Sequence, residues 1–398
     1  MVDSTRQTKS RPMQRRARII VVGAGFGGMQ AAISLVKVGR KMGAEVVLID
    51  RNNFHTFVPL LYQVATAQIE AEKIAYPVRT LFRRYNNFRF VQAEVSGLDF
   101  ANRQVETARG RLPYDFLVLA TGSQTQFHQV AGAEEYSWPM RTLREAIALR
   151  NQLISCFEKA VQEQQANHRL LTFVIVGGGA TGVELAGALV ELCQGSLKRD
   201  YPTIDAVAVK IVLVQSADRL LSNLPAKLGR YTAKKLNRLG VDVRLSAKVR
   251  AVEQNGVHLE TKRGTEFVAS ETVIWVAGVQ AQCPATSAEV AVLGKGKLAV
   301  NPTLQLKDHP TVYAIGDVAY VDDTLAGVAP EALQQGVWVA KNIQRQHQSK
   351  PLRTFNYLNK GRLAIIGCFS GGGKIGPVAF SGFLAWFMWL AVHLVYLP

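Results

Sequence analysis

The chain is poor in cysteine and in charged residues. Its 398 residues include four cysteines, Cys156, Cys193, Cys283 and Cys368, with no CxxC or HExxH motif. This spacing argues against a metal site and a disulfide scaffold, and reduced thiols fit a cytoplasmic compartment better than secretion. Only 19% of the residues are charged and 48% are hydrophobic. A largely disordered protein is therefore excluded, and the length suits about two to three packed domains.

Acidic residues are missing from the C-terminal part of the chain. None follows Glu331, whereas seven Lys and Arg residues do, and residues 1–18 carry a further excess of basic residues within a total net charge of +17. The N-terminal stretch lacks the apolar core of a secretory signal, so we expect residues 1–17 to form a basic disordered arm. No nucleic-acid-binding motif accompanies these charges, and we expect no nucleic-acid partner.

The last 21 residues, 378–398, are almost wholly apolar, with Ser381 and His393 as the polar exceptions. This is about the length that crosses a bilayer, but an aromatic-rich helix can also be buried in the protein or lie in the interface plane. Because the stretch upstream is cationic, the sequence favours contact with an anionic membrane surface.

A glycine fingerprint follows the first apolar strand pattern. It reads Gly23-Ala-Gly25-Phe-Gly27-Gly28 and precedes a helical pattern, after which Asp50 ends the next predicted strand. Gly23 would permit a tight turn, Gly25 would let the backbone approach a pyrophosphate, and Gly28 would let helix and strand pack closely. Asp50 can accept hydrogen bonds from ribose hydroxyls.

The same glycine fingerprint recurs with Gly177, Gly179 and Gly182, again between an apolar strand pattern and a helical pattern. The next strand ends in Gln215, with Arg219 four residues later. Two fingerprints predict an α/β fold with two Rossmann-like domains that bind FAD and NAD(P)H face to face. Because glutamine does not repel a ribose 2′-phosphate and arginine attracts one, we expect relaxed discrimination between NADH and NADPH.

Four further segments, at 53–66, 114–122, 275–279 and 312–317, complete a family pattern. With the two fingerprints they resemble the type II NADH:quinone oxidoreductases, which are flavoproteins with two dinucleotide-binding domains, from about Arg18 onward. The resemblance implies an FAD-binding domain at 18–140 plus 295–345 and an NAD(P)H-binding domain at 141–294. It also implies a C-terminal quinone- and membrane-facing region at 346–398, shorter than in the family.

The resemblance assigns roles to particular residues. Those expected at the flavin are Pro59, Leu60, Tyr62, Ala120, Thr121, Gly122 and Asp317, and Gly278 is expected to bind one of the two cofactors. Asp317 can equally be read as an ordinary helix N-cap. Glu184 and Lys360 would lie near the flavin ring and supply protons, and Gln334 would contact the quinone headgroup. Pro330 replaces the first glutamine of the family's quinone segment, which leaves the identity of the quinone open.

The activity implied by the resemblance is hydride transfer from NADH or NADPH to FAD, followed by two-electron transfer to a membrane quinone without proton pumping. The expected location is the cytoplasmic face of a membrane, as a peripheral protein, and a homodimer stays open. Three alternatives remain. They are a sulfide:quinone oxidoreductase using Cys156 and Cys368, a demethylnaphthoquinone-type reductase, and a non-enzymatic flavoprotein that senses NAD(P)H.

Overall fold

The computed structural model describes residues 16–163, 168–287, 290–322, 325 and 327–396. The predicted basic arm lies almost entirely outside these residues. Within the described ranges the α-helices are α1 Phe26–Met42, α2 Leu61–Ala65, α3 Val78–Phe82, α4 Ala133–Tyr136, α5 Leu143–Gln162, α6 Ala180–Leu192, α7 Lys198–Asp200, α8 Ala226–Arg238, α9 Ala329–His347 and α10 Phe383–Tyr396.

The first large sheet has six strands and holds the first fingerprint at its centre. In spatial order the strands are Gln305–Leu306, His309–Ala314, Phe116–Leu119, Arg18–Val22, Glu45–Asp50 and Phe88–Gln92. The inner pairings are parallel, and the first edge strand pairs antiparallel. Helices α1 and α9 pack together on one face. A Cβ added to Gly336 of α9 would lie 2.7 Å from the Gly27 carbonyl oxygen of α1, so the two helix backbones are in close contact.

The second large sheet is wholly parallel and has five strands. In spatial order they are Ser137–Pro139, Thr272–Trp275, Thr172–Val176, Lys210–Val214 and Val241–Arg244. The central strand is buried at every position, as expected for a parallel strand covered on both faces. Both sheets therefore bring the carboxyl end of a central strand to a glycine turn and the start of a helix.

Smaller sheets surround these two. Their strands are Ala285–Thr286, Val95–Asp99, Gln104–Thr107 and Gly110–Pro113 in one; Lys248–Glu253, Gly256–Thr261 and Gly264–Ala269 in another; Val292–Leu293, Lys297–Ala299 and Ala319–Tyr320 in a third. Two-stranded pairs join Ser123–Thr125 to Val279–Ala281 and Phe54–Thr56 to Ala75–Pro77. The C-terminal region contains the antiparallel strands Arg362–Ile365, Gly371–Ile375 and Val378–Gly382, followed by α10.

The predicted fold class of two Rossmann-like units is confirmed. Two strands lie across the predicted domain boundaries. Ser137–Pro139 belongs to the second large sheet although it precedes residue 141, and Ala285–Thr286 pairs with Val95–Asp99 of the first unit although it precedes residue 295. Short edge strands of this kind carry too little hydrophobic pattern to be assigned to a sheet from sequence. Among the described residues, no helix has both the length and the apolar character needed to cross a membrane.

Candidate cofactor and substrate site

The first glycine turn has the geometry of a phosphate cradle. Gly23 has φ +102°, and a Cβ there would lie 2.3 Å from the Ala120 carbonyl oxygen. A Cβ on Gly28 would lie 1.8 Å from the Gly23 carbonyl oxygen, whereas the Cβ position of Gly25 has open space within 4 Å. Two glycines therefore close the turn, and the third leaves the N-terminus of α1 accessible to an anion.

The second glycine turn repeats this arrangement. Gly177 has φ +116°, a Cβ on Gly182 would lie 1.9 Å from the Gly177 carbonyl oxygen, and the Cβ position of Gly179 is open. Gly179 to Thr181 are all exposed. The N-terminus of α6 is thus available to a second dinucleotide.

The side chain that ends the second strand of each unit supports the glycine turn. The amide of Ala24 donates to Asp50 Oδ2 at 2.6 Å, and the amide of Gly178 donates to Gln215 Oε1 at 3.0 Å. Burial raises the pKa of Asp50, although hydrogen bonds from the Ala24 and Asn52 amides oppose this shift. Asp50 and Gln215 therefore hold the two glycine turns in place.

The two helix N-termini open into one cavity, which we call the flavin cavity. Its lining residues are Gly25, Phe26, Gly27, Val58, Pro59, Leu61, Tyr62, Ala120, Gly122, Met140, Arg141, Thr181, Glu184, Ile315, Gly316, Asp317, Gly327, Val328, Ala329 and Ala332. Gly25 belongs to the first turn, and Thr181 to the second helix. A dinucleotide bound at each turn would therefore reach the same space.

An ion pair joins the two units across the flavin cavity. Arg141 Nη2 lies 2.6 Å from Asp317 Oδ2, and the Ser123 hydroxyl donates to the same oxygen at 2.5 Å. Arg141 directly precedes α5, where Thr142 and Glu145 form a capping box. The capped helix start therefore fixes the backbone from which Arg141 reaches Asp317.

Glu184 lies at the start of the second turn of α6 and is only 9% exposed. Burial raises the pKa of its carboxyl group to about 8, against hydrogen bonds from the Ile365 amide and the Trp389 indole, which lower it. The Ile365 amide lies 3.3 Å from Glu184 Oε1. At neutral pH the side chain is mainly protonated, so it can donate a proton inside the cavity.

A second, mostly apolar cavity adjoins the flavin cavity, and we call it the acceptor cavity. Glu184, Phe26, Pro59, Val328 and Ala329 line both. The acceptor cavity alone is lined by Phe57, Ala180, Leu221, Asn223, Leu224, Pro330, Leu333, Lys360, Gly361, Arg362, Leu363, Ala364, Ile375, Trp389, Val392 and His393. The predicted pair Glu184 and Lys360 thus borders one space.

Three residues that were predicted to bind a cofactor, Leu60, Thr121 and Gly278, do not line the flavin cavity. Leu60 is in the hydrophobic core and does not line the flavin cavity; its neighbour Leu61 does. The Thr121 hydroxyl donates to the Gln282 carbonyl, so it helps to join chain segments. Gly278, at φ +98°, lies against His128, where a Cβ would be 2.6 Å from Nε2.

Gln334 makes a contact that differs from the expected one. Its Nε2 donates to the Leu358 carbonyl at 2.9 Å, and its Oε1 accepts from the Leu358 amide at 2.9 Å. It lines a surface groove that shares Phe26, Pro330, Leu333 and Lys360 with the acceptor cavity, but it does not line the acceptor cavity itself. The carboxamide therefore holds the segment before Lys360, and its contact with the quinone headgroup stays a prediction.

Arg141, Trp389 and His393 are among the residues at the two cavities that sequence reasoning missed. Arg141 carried a usable signal, because a cation directly before a capping box sits at a helix start. Trp389 and His393 gave none, since they lie in an apolar run whose pattern does not decide between membrane contact and burial in the protein. They reach the site because α10 folds back against strands Arg362–Ile365 and Gly371–Ile375.

Comparisons with known proteins agree with this geometry. The model of the pyridine nucleotide-disulphide oxidoreductase family matches residues 17–336. The two turns and the shared cavity thus belong to a two-dinucleotide oxidoreductase of that class.

Curated relatives narrow the class. The chain is 35% identical to the type II NADH:quinone oxidoreductase Ndh of Mycobacterium tuberculosis, over 99% of this chain and 87% of the relative. It is 27% identical to the type II NADH:quinone oxidoreductase of Haemophilus influenzae, over 94% of this chain and 92% of the relative. The chain belongs to the type II NADH:quinone oxidoreductase family, which confirms the resemblance seen in its sequence.

Solved structures support the fold. The structure of NDH2 from Plasmodium falciparum in complex with NADH superposes with a TM-score of 0.88 at 18% identity, covering 96% of this chain and 95% of that chain. The sulfide:quinone oxidoreductase of Aquifex aeolicus superposes with a TM-score of 0.78 at 20% identity, covering 96% of this chain and 90% of that chain. The fold alone therefore does not separate these two activities.

Proposed function

We infer that this chain is an FAD-dependent NADH:quinone oxidoreductase. The observation that carries the inference is the single cavity shared by the first glycine turn, through Gly25, and the second fingerprint helix, through Thr181 and Glu184. A dinucleotide at each turn would meet its partner there, which is the arrangement that hydride transfer requires. The family relatives named above support the choice of donor and acceptor.

The residues of the flavin cavity fit FAD. The open Cβ position of Gly25 leaves room for a pyrophosphate at the N-terminus of α1. Asp50 would accept from the ribose, while Arg141 and Asp317 offer a cation and an anion to the polar chain between the rings. Bound FAD would supply the redox chemistry, accepting a hydride from NADH and passing two electrons to a quinone.

The protein's own contribution to quinone reduction is a dry cavity with a proton donor. The acceptor cavity exposes mainly apolar surface, which suits a quinone ring and limits access of water. Glu184, protonated at neutral pH, can deliver one of the two protons that a quinol needs. Lys360, exposed at the rim of the same cavity, is proposed as part of the route by which protons are replaced.

The decisive experiment identifies the flavin of the purified holoenzyme and measures its reduction of a quinone with NADH as the donor. We expect NADH to reduce a soluble short-chain quinone with rapid turnover and the flavin to be identified as FAD. A preparation without flavin would overturn the proposal. Slow flavin reduction that leaves a long-lived charge-transfer complex, with no quinone turnover, would instead favour the NAD(P)H-sensing alternative.

The cysteines bear on the sulfide:quinone alternative. Among the described residues, neither cavity has a cysteine in its lining. Cys156 is buried in α5 and contacts Thr272, whereas Cys368 is exposed. A cysteine pair beside the flavin, which sulfide oxidation needs, is therefore not supported. The other enzymatic alternative, a demethylnaphthoquinone-type reductase, is tested by comparing different quinones as acceptors in the same assay.

We also propose that the protein attaches to a membrane through α10 and the preceding hairpin. The helix presents Phe383, Leu384, Phe387 and Leu394 to the outside, each more than half exposed, and Val378 is 61% exposed beside them. A contiguous apolar patch of this kind is unusual on a soluble surface. The acid-free C-terminal region adds cations that anionic headgroups attract. The cytoplasmic face, a homodimer and the lack of a nucleic-acid partner stay predictions.

Vesicle binding tests this attachment. Flotation with vesicles containing anionic lipid should carry the protein upward, more weakly at high salt because the electrostatic part is screened. Phe387→Ser should reduce the bound fraction, whereas Phe267→Ser, on an exposed strand outside this patch, should not. Equal binding of both variants and the unchanged protein would contradict the proposed surface.

A further inference from the structure

His393 is a titratable group that the mechanism above does not use. It lies on α10 and lines the acceptor cavity with Glu184. Its ring stacks on Trp389 at a centroid distance of 3.8 Å and contacts the edge of Phe57 at 6.0 Å. These contacts hold the imidazole in one orientation at the wall of the cavity.

The hydrogen bonds of this imidazole define its tautomer. His393 Nδ1 lies 2.8 Å from the Trp389 carbonyl oxygen. A carbonyl oxygen only accepts, so Nδ1 carries the proton and donates it. Burial lowers the pKa of His393, although the Trp389 carbonyl opposes this shift, and the ring is neutral near pH 7. The other nitrogen, Nε2, therefore has a free lone pair and can only accept a hydrogen bond.

The two redox forms of the substrate differ in what they offer to such an acceptor. An oxidised quinone has carbonyl oxygens and no donor, whereas a quinol has two hydroxyl donors. A neutral imidazole with a free Nε2 therefore discriminates between them, because it can bond only to the reduced form.

We propose that His393 is a headgroup-binding residue of the acceptor cavity, whose Nε2 accepts a hydrogen bond from a quinol hydroxyl and so favours the reduced form over the quinone. The proposal rests on the proposed quinone reductase activity. Glu184 supplies a proton from one side of the cavity, and His393 stabilises the hydroxylated product from α10. The C-terminal segment is then part of the substrate site as well as a surface for attachment.

The test measures both forms of a short-chain quinone against the oxidised holoenzyme without NADH. The readouts are quenching of tryptophan fluorescence under anaerobic conditions and, separately, product inhibition by the quinol. His393→Phe keeps a ring on Trp389 but removes the acceptor. We expect it to weaken quinol binding about five- to tenfold, the scale of one hydrogen bond, and to leave quinone binding within about twofold.

Two further variants keep the test decisive. His393→Gln supplies an amide oxygen and should recover part of the quinol affinity. His347→Phe makes the same substitution at an exposed position of α9 and should change neither affinity. Flavin content checks that each variant is folded.

Each remaining outcome has a clear meaning. Equal weakening of quinol and quinone in His393→Phe would show that the residue only packs, and no change in either would remove it from the site. If the unchanged protein bound neither form, the quinone reductase proposal itself would fail. That result is distinct from a failure of His393 alone.

Discussion

The two dinucleotide-binding units share one turn but differ in what surrounds it. In both, a strand-end side chain accepts from an amide of the turn, Asp50 in the first and Gln215 in the second. In the first unit Gly25 is exposed but Gly27 is buried against Ala332 of α9, whereas Gly179 to Thr181 of the second unit are all exposed. We therefore expect the first glycine turn to hold a retained cofactor and the more open second turn to bind a visiting substrate.

The largest effect expected is from adding a methyl group to either turn. A Cβ at Gly28 or at Gly182 would lie less than 2 Å from a backbone oxygen. Gly28→Ala should yield protein without flavin, whereas Gly182→Ala should retain FAD and lose NADH oxidation by more than about 100-fold, a cost above about 2.7 kcal/mol. Flavin absorbance and NADH turnover check both. Gly195→Ala, with open space at its Cβ position, is the control. If Gly182→Ala also lost its flavin, the predicted difference between an FAD-binding first turn and an NADH-binding second turn would be contradicted.

The next effect concerns Glu184, whose counterpart in the first unit, two residues after the last fingerprint glycine, is the amide Gln30. Glu184→Gln should slow quinone reduction by about 10²–10⁴-fold, the usual scale of a lost general acid. Ferricyanide, which takes electrons without protons, should be reduced at nearly the normal rate. Glu191→Gln, an exposed position on the same helix, serves as the control. Equal losses with both acceptors would assign Glu184 a structural role instead.

The pH dependence follows from the same carboxyl group. Its pKa is raised to about 8, so the donor form is present below that pH and is lost as pH rises through it. Quinone reduction should therefore decline above about pH 8, and ferricyanide reduction should not. The decline should be absent from the residual activity of Glu184→Gln. If Glu184→Gln showed the same decline at high pH, a group other than Glu184 would be responsible for it.

A smaller effect is expected at the Arg141–Asp317 ion pair, which lines the flavin cavity beside the first turn. Arg141→Gln removes the cation opposite Asp317 and should weaken FAD retention by about 10- to 100-fold, the scale of a lost charge-assisted bond. Dialysis of the holoenzyme followed by flavin assay measures this. Arg144→Gln changes an exposed arginine three residues later and should retain FAD. If both variants kept their flavin equally, the ion pair would not explain the difference between the units.

The smallest effect is at the strand-end glutamine of the second unit. Gln215→Glu keeps an oxygen for the Gly178 amide but adds a negative charge where a ribose 2′-phosphate would lie. It should weaken use of NADPH by at least about tenfold while NADH kinetics change little. Initial rates with both donors provide the measurement. Unchanged NADPH kinetics would show that Gln215 does not contact the ribose.

Residues read from local pattern were placed well. Gly23 and Gly177 have positive φ angles, and a Cβ on Gly28 or Gly182 would meet their carbonyl oxygens, so these needs for glycine are local to each strand–turn–helix segment. Leu60 and Leu61 show the limit of such reasoning. Both are apolar and adjacent, and only the three-dimensional arrangement decides which of them faces the cavity.

By itself, the amino-acid sequence determined the two glycine turns, the strands and helices that flank them, and the residue types Asp50 and Gln215 that end the second strands. These depend on interactions within about 30 residues of chain, which periodicity and glycine spacing record directly. Only the tertiary structure brought Arg141 to Asp317, turned Gln334 toward Leu358, and returned α10 so that Trp389 and His393 border Glu184. Such contacts join segments up to about 200 residues apart, and they depend on packing that no local pattern encodes.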